Sequence, residues 1–407
     1  MSDLLICVER KDFPADIPHP FYLTGFTPVV LCGPTELLKR KRITVLNSRQ
    51  SPRFSKGDAW VRKTLEALRG FDARETVLIS SLGTTSWDFL SWAGNKLGFP
   101  IVLVFPAGSA QNFSIARTKA TIDLGLDEGK TLAIRPLGLG AVRKKSQANA
   151  LRDIWILSLS QNLIQISIRK KGNLEGYLNS RQLAGESIDR SFAIEYEAPQ
   201  PIRKPQLPKK ITLPEWYRPG DYLIHWTRSC VGPWPDESKA EHFERILTES
   251  DDQRGGLETL LKMLRERIIR ASGRLVRGRY PVVPFTERSP EDLPDLIKWR
   301  AGLRRWTFEP YGIALKKSGL IQMGARPVIY GDLNDFDELS EAERPFFQMA
   351  ASGKRDWRGE KEWRMQGDLE LCAFQPDEIV VFVHSRGETQ QIMGKDRYRL
   401  ICLNLDD

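Results

Sequence analysis

The segment Val77-Leu78-Ile79-Ser80-Ser81-Leu82-Gly83-Thr84-Thr85-Ser86-Trp87-Asp88-Phe89-Leu90 decides the fold. A short apolar run ends in small polar residues and a glycine, then passes into a stretch of helical period. That is a strand, a turn and a helix. The same sequence of signals recurs on both sides. A strand at 43–46 leads to a helix near 58–68, and the helix at 87–97 leads to a strand at 101–105. Farther on come a strand at 131–135, a helix near 147–159 and a strand at 163–168. Strands alternating with amphipathic helices imply parallel pairing through crossovers. We therefore expect a Rossmann-like α/β domain over residues 1–198, a doubly wound parallel sheet of about five strands.

The chain has 407 residues, more than one core of about 250 to 300 residues accommodates, so a second domain is expected. Residues 199–219 hold Pro199, Pro201, Pro205, Pro208, Pro214 and Pro219 among lysines and arginines, and read as an extended linker. Beyond it the pattern changes. Short strands at 222–226, 280–285, 311–315, 327–330, 362–365 and 379–384, with a helix near 256–270, predict an α+β domain over 220–407.

Composition narrows the function. With 41% apolar and 28% charged residues, and no apolar run near the length of a membrane span, we expect a soluble protein without a membrane partner. The first residues lack a basic region followed by an apolar stretch, so a cytoplasmic location is expected. Five cysteines without CxxC spacing read as small buried residues, and four scattered histidines predict no metal site. The net charge of +9 favours a polyanionic partner. Basic clusters stand at Lys39-Arg40-Lys41-Arg42, Arg143-Lys144-Lys145, Arg169-Lys170-Lys171 and, more weakly, Arg265-Glu266-Arg267.

Three strand ends carry residues suited to phosphate: Asn47-Ser48-Arg49, then Ser80-Ser81-Leu82-Gly83 opening into a helix, then Lys170-Lys171-Gly172-Asn173. Ligands of such sheets bind at the carboxyl ends of the strands. These loops, together with Phe99-Pro100-Ile101-Val102 and Arg152-Asp153-Ile154-Trp155, resemble DNA-processing protein A and its nucleotide-sensing relatives over about 150 residues. The resemblance implies a pocket for single-stranded DNA or a nucleotide at Ser48, Arg49, Ser81, Gly83 and Lys171. Thr84 and Thr85 stand where that family carries a fuller glycine run.

In the second half, Tyr222-Leu223-Ile224-His225-Trp226-Thr227-Arg228, Phe308-Glu309-Pro310-Tyr311-Gly312 and Glu360-Lys361-Glu362-Trp363-Arg364 each set a polar or aromatic group on or beside a strand. Glu360 and Glu362, two apart on one strand, are expected on one face. The three segments resemble the signature of an ADP-ribosyltransferase fold: His on an early strand, an aromatic residue in the middle and a final ExE. The resemblance implies NAD as co-substrate, with His225 on its ribose or diphosphate, Tyr311 on its nicotinamide and Glu362 at the reacting centre. Two further stretches, 299–306 and 354–358, interleave tryptophan with arginine, as stacked bases flanked by phosphates require.

These readings combine into a DNA-modifying enzyme whose first domain captures nucleic acid and whose second modifies it as an ADP-ribosyltransferase-like transferase. The alternatives are an NAD-independent alteration of a base in DNA, as in 7-deazaguanine modification clusters, and a nucleotide-sensing anti-phage defence effector. Companion proteins of a modification or defence system are the expected partners besides DNA.

Overall fold

A computed structural model describes residues 6–8, 29–108, 111–137, 145–183, 185, 187–198, 203–207, 210–248, 254–300, 303, 305–352, 355–392 and 398–404. The chain divides into two compact units, one of residues 1–200 and 237–252, the other of residues 201–236 and 253–407.

In the first unit the strands are β1 (Ile6–Val8), β2 (Val29–Cys32), β3 (Lys41–Leu46), β4 (Thr76–Ser81), β5 (Ile101–Val104), β6 (Thr131–Pro136), β7 (Asn162–Gln165) and β8 (Ile188–Asp189). Between them run α1 (Ala59–Arg69), α2 (Thr85–Lys96), α3 (Phe113–Leu124), α4 (Lys145–Leu159) and α5 (Asn173–Leu183). The sheet order is β1-β2-β6-β5-β4-β3-β7-β8, parallel from β6 to β8 and antiparallel at β1 and β2. This is the expected Rossmann-like arrangement, with a wider sheet. The chain winds outward from β3 to β6, then returns to lay β7 on the other side of β3. The switch of direction therefore lies between β3 and β7.

Parallel strands covered on both faces need continuous apolar runs. Val77, Leu78, Ile79, Ile101, Val102, Leu103 and Val104 are each fully buried and meet this need. The added strands escaped the sequence reading for local reasons. β2 is only Val-Val-Leu-Cys and β8 only two residues, too short for their patterns to mark them.

Residues 237–252, assigned by sequence to the second domain, belong to the first unit. Helix α6 (Lys239–Thr248) places Phe243 among the rings of Phe54, Phe89 and Trp92 at centroid distances of 6.0, 5.8 and 5.6 Å. Lys239 Nζ stands 3.2 Å from an Asp88 oxygen and 3.1 Å from one of Asp123. An apolar anchor and two ion pairs thus tie this segment to the Rossmann-like core. The expected linker is also shorter than its proline content suggested. Ile211 and Tyr217 are buried in the second unit, and Tyr217 stacks on Tyr222 at 4.9 Å.

The second unit is α+β. Its main strands are β9 (Tyr222–Trp226), β10 (Val282–Thr286), β13 (Gly312–Lys316), β14 (Arg326–Pro327), β15 (Glu362–Gln366), β16 (Ile379–Val383) and β17 (Arg399–Cys402). They form a mixed sheet in the order β14-β15-β10-β9-β13-β16-β17. A separate hairpin pairs β11 (Trp299–Arg300) with β12 (Arg305–Trp306). Helix α7 (Gly256–Glu266) covers one face of the sheet with Leu260 and Leu264, beside Leu223, Phe285, Ile313 and Val381. Tyr222, Ile224, Trp226, Ala314 and Phe382 fill the other face.

Candidate functional site

The two units present separate candidates. In the first, the switch between β3 and β7 brings the loop after Leu46 beside the loop after Gln165. The Ser48 amide donates to the Ser167 carbonyl at 2.7 Å, and the Ser48 hydroxyl accepts from the Arg169 amide at 2.9 Å. Ser48 is therefore the clasp of the crevice. Arg49 and Lys171 are exposed beside it, and among the described residues neither side chain has an ion-pair partner. Lys171 adopts a left-handed backbone at φ 59°, and its amide donates to Glu175 at 2.6 Å. Among the described residues Asn47 Oδ1 and Gln50 Nε2, buried at the same strand end, have no hydrogen-bond partner, a state that a bound polar group would relieve.

The loop after β4 is different, and here the expectation needs correction. Ser81 is fully buried and its hydroxyl donates to the Val104 carbonyl at 2.7 Å. The Gly83 amide, at φ 92°, donates to Asp88 at 2.9 Å, while Thr84 accepts from the Trp87 amide. The anion at this helix start is thus the chain's own Asp88 carboxylate. Burial raises its pKa, opposed by Lys239. Ser81 and Gly83 spend their donors inside the fold. Likewise Arg42 of the first basic cluster is buried, donating to the carbonyls of Leu159 and Leu38 at 2.7 and 2.6 Å. Arg143 and Lys144 lie outside the described residues.

The second unit holds a cavity of about 310 Å³. Its origin is a break in the sheet. Pro284 has no N–H for the ladder, and among the described residues β9 and β10 pair only at Ile224 with Thr286. Where the strands part, the His225 ring fills the position, its Nδ1 2.7 Å from the Pro284 carbonyl oxygen. Because a carbonyl only accepts, Nδ1 carries the proton. Nε2 has no protein partner among the described residues and serves the cavity. Burial pushes the His225 pKa down to about 4, so the ring is neutral at physiological pH.

That shift sets an expected pH dependence. A histidine with a depressed folded value takes up its proton more readily when unfolded. Its stabilising contribution is complete above the ordinary histidine value of 6.5 and is lost as pH falls toward about 4. Urea midpoints of the full chain are expected to fall over that window. In His225→Asn, whose amide can still donate to the Pro284 carbonyl, that part of the fall disappears. An unchanged acid profile in the variant contradicts the assignment.

Glu362 and Glu360 also line the cavity, on the other side of β10 from His225. Glu362 lies in one row with Thr286 and Ile224, whereas His225 pairs with Ile313 on the opposite face of the sheet. The gap between the strands lets both reach one space. Arg364 is buried and fixes Glu362, its Nε donating to Oε1 at 2.8 Å, while its remaining donors meet the carbonyls of Pro345 and Phe347 and the Gln348 side chain. Glu360 is not on the strand, as expected, but in the tight turn of Arg358–Glu360 that precedes it, with Lys361 left-handed at φ 45° between the two carboxylates. Burial and the neighbouring Glu362 push the Glu360 pKa up to about 7, against Arg300, Lys298 and Arg228.

Tyr311 is a correction. It does not line the cavity. Its hydroxyl donates to Glu388 at 2.8 Å, its carbonyl accepts from the Thr227 amide at 2.8 Å, and burial raises its pKa. The cysteines need a similar correction, since Cys32 is buried but Cys372 is exposed and Cys230 lies at the cavity. Of the two tryptophan–arginine stretches, 301, 302, 304 and 354 lie outside the described residues. In the remainder Trp299 pairs with Trp306 and Arg300 with Arg305, so one side of the hairpin is aromatic and the other cationic. Sequence reasoning missed Arg228 and the role of Pro284. A proline in a strand otherwise fit for the sheet centre was the available signal.

Compared with known proteins, the chain matches no protein-family model and no curated protein. Solved structures similar to part of it include two of DNA processing protein A. DNA processing protein A from Streptococcus pneumoniae is 18% identical at a TM-score of 0.36, over 45% of this chain and 62% of that one. DNA processing protein A from Helicobacter pylori, described for its single-stranded DNA binding mode, is 13% identical at a TM-score of 0.35, over 46% of this chain and 80% of that one.

Proposed function

We propose that this protein is an ADP-ribosyltransferase-like enzyme that modifies DNA, with the reaction in the cavity of the second unit and nucleic-acid capture at the β3–β7 crevice of the first. The observation that carries this reading is the gathering of Glu360, Glu362 and neutral His225 in one cavity, with the two carboxylates in contrasting surroundings. Such contrast is how a pair of carboxylates divides acid–base from electrostatic work.

NAD supplies a ribosyl carbon whose bond to nicotinamide breaks with the electron pair leaving on nicotinamide. The residues present suit that donor. Glu362, held by Arg364, stabilises positive charge developing at the ribosyl carbon. Glu360, its pKa pushed up to about 7 by burial and Glu362, accepts the proton that the nucleic-acid acceptor loses as its new bond forms. His225 Nε2, as a lone-pair acceptor, receives a hydrogen bond from a hydroxyl or amide of the donor. At the first unit, exposed Arg49 and Lys171 meet phosphates and Ser48 keeps their loops together. The net charge of +9 favours the same polyanion.

The test is a pH–rate profile of nicotinamide release with DNA present. A base must be deprotonated to act, so kcat/KM is expected to rise with pH along a limb of apparent pKa about 7, the value that burial and Glu362 give Glu360. Glu360→Gln is expected to lower the plateau by about 10²-fold and remove the limb. A limb that survives the substitution unchanged contradicts the role.

A further inference from the structure

Arg228, Arg300 and Arg305 all line the cavity. Arg300 and Arg305 are directly opposite each other across the β11–β12 hairpin, an arrangement in which like charges repel. Arg228 enters from the loop after β9, and all three are coupled electrostatically. Among the described residues the side chains of Arg228 and Arg305 donate no hydrogen bond and form no ion pair. Glu360 and Glu362 attract Arg228 only at longer range, and Glu362 is already held by Arg364. Burial, and then the neighbouring arginines, push the Arg305 pKa down to about 10.

Partly buried guanidinium groups without partners are unfavourable, and the chain has brought them together rather than dispersed them. A hairpin that needed only to fold would set opposite charges across this pair. What relieves the arrangement is an anion with more than one acceptor group. Guanidinium groups bind phosphate oxygens in pairs, so two unpaired arginines suit two linked phosphates. The cavity is at the small end of ligand pockets, which suits a small molecule rather than a length of polymer.

We propose that Arg228 and Arg305, flanked by Arg300, form a subsite for the diphosphate of a small nucleotide. This deepens the reading of the cavity as a reaction site and rests on it: the subsite would anchor the donor by its phosphoanhydride and leave the sugar for the glutamates. Arg300 adds to the same positive field and is held in place over the Trp357 ring at 4.4 Å.

The test is calorimetric titration of the full chain with inorganic pyrophosphate, with orthophosphate and with a single-stranded oligonucleotide. We expect one saturable pyrophosphate site, about tenfold or more tighter than for orthophosphate. Arg228→Gln and Arg305→Gln are each expected to weaken it by about tenfold or more, whereas Lys63→Gln, on a helix of the first unit, leaves it intact. Without anion, Arg305→Gln is expected to melt no lower than the wild type, because it removes repulsion rather than a contact. Loss of binding accompanied by a lower melting temperature in both arginine variants indicates a structural role and overturns the proposal. So does the absence of saturable pyrophosphate binding, or an oligonucleotide that displaces pyrophosphate from these arginines. Pyrophosphate binding that depends on both arginines, in a protein that never turns over NAD, overturns the proposed reaction alone. Turnover without a pyrophosphate site overturns this inference alone.

Discussion

Glu362→Gln is expected to reduce nicotinamide release by about 10²- to 10³-fold, the usual effect of removing one preorganised electrostatic group from a reacting centre. The substitution keeps the shape and an acceptor oxygen for Arg364 Nε while removing the charge. Arg364 retains the Pro345 and Phe347 carbonyls and the Gln348 side chain, so stability should fall by only about 1 to 2 kcal/mol. The two effects differ enough to be separated. Kinetics and urea unfolding on the same preparation check them. A variant that unfolds at the wild-type midpoint and still releases nicotinamide at the wild-type rate removes Glu362 from the chemistry.

The second large effect is structural. The Glu309 carboxylate accepts from the Ser229 amide at 2.7 Å, from the Ser229 hydroxyl in a short bond, and from the Gly256 amide at 2.9 Å at the start of α7. One side chain thereby fastens the loop that carries Arg228 and supplies negative charge to a helix start. Glu309→Ala leaves three donors without an acceptor, and we expect a loss of about 3 kcal/mol. Glu309→Gln keeps one acceptor and should recover part of it. Because Arg228 is adjacent to Ser229, pyrophosphate affinity should fall with stability in Glu309→Ala. A midpoint shift within error of zero, with both helix α7 and binding preserved, would remove Glu309 from this role.

The parallel strands from β3 to β7 were legible because each is a short apolar run bounded by turn residues, and length and flanks, rather than period, mark such runs as strands. The edge strands were not, since β1, β2 and β8 are short and gain their pairing from neighbours distant in sequence. The chain's return to the first unit through α6 was equally hidden. Its amphipathic pattern states that one face is buried, but not which core receives Phe243.

For the sites, residue type proved more legible than situation. Ser48, Arg49, Lys171, His225 and Glu362 stand at strand ends or in the split of the sheet. Ser81 and Gly83 have the same composition as a phosphate loop, yet Asp88, one helical turn into α2, supplies the anion internally. Tyr311, expected to open its strand, precedes it and turns to Glu388, a partner 77 residues away that spacing does not reveal. Arg305 reads in sequence as part of a tryptophan–arginine stretch suited to nucleic acid, and only the pairing of β11 with β12 sets it opposite Arg300.

The most direct measurement is transfer itself: the full chain is incubated with single-stranded DNA and NAD labelled in the adenine ring, and the DNA is recovered and analysed by mass spectrometry. The account predicts DNA carrying the labelled ADP-ribosyl group with release of nicotinamide, and no adduct with Glu362→Gln. Unlabelled DNA and intact NAD under conditions in which the cavity binds pyrophosphate would contradict it.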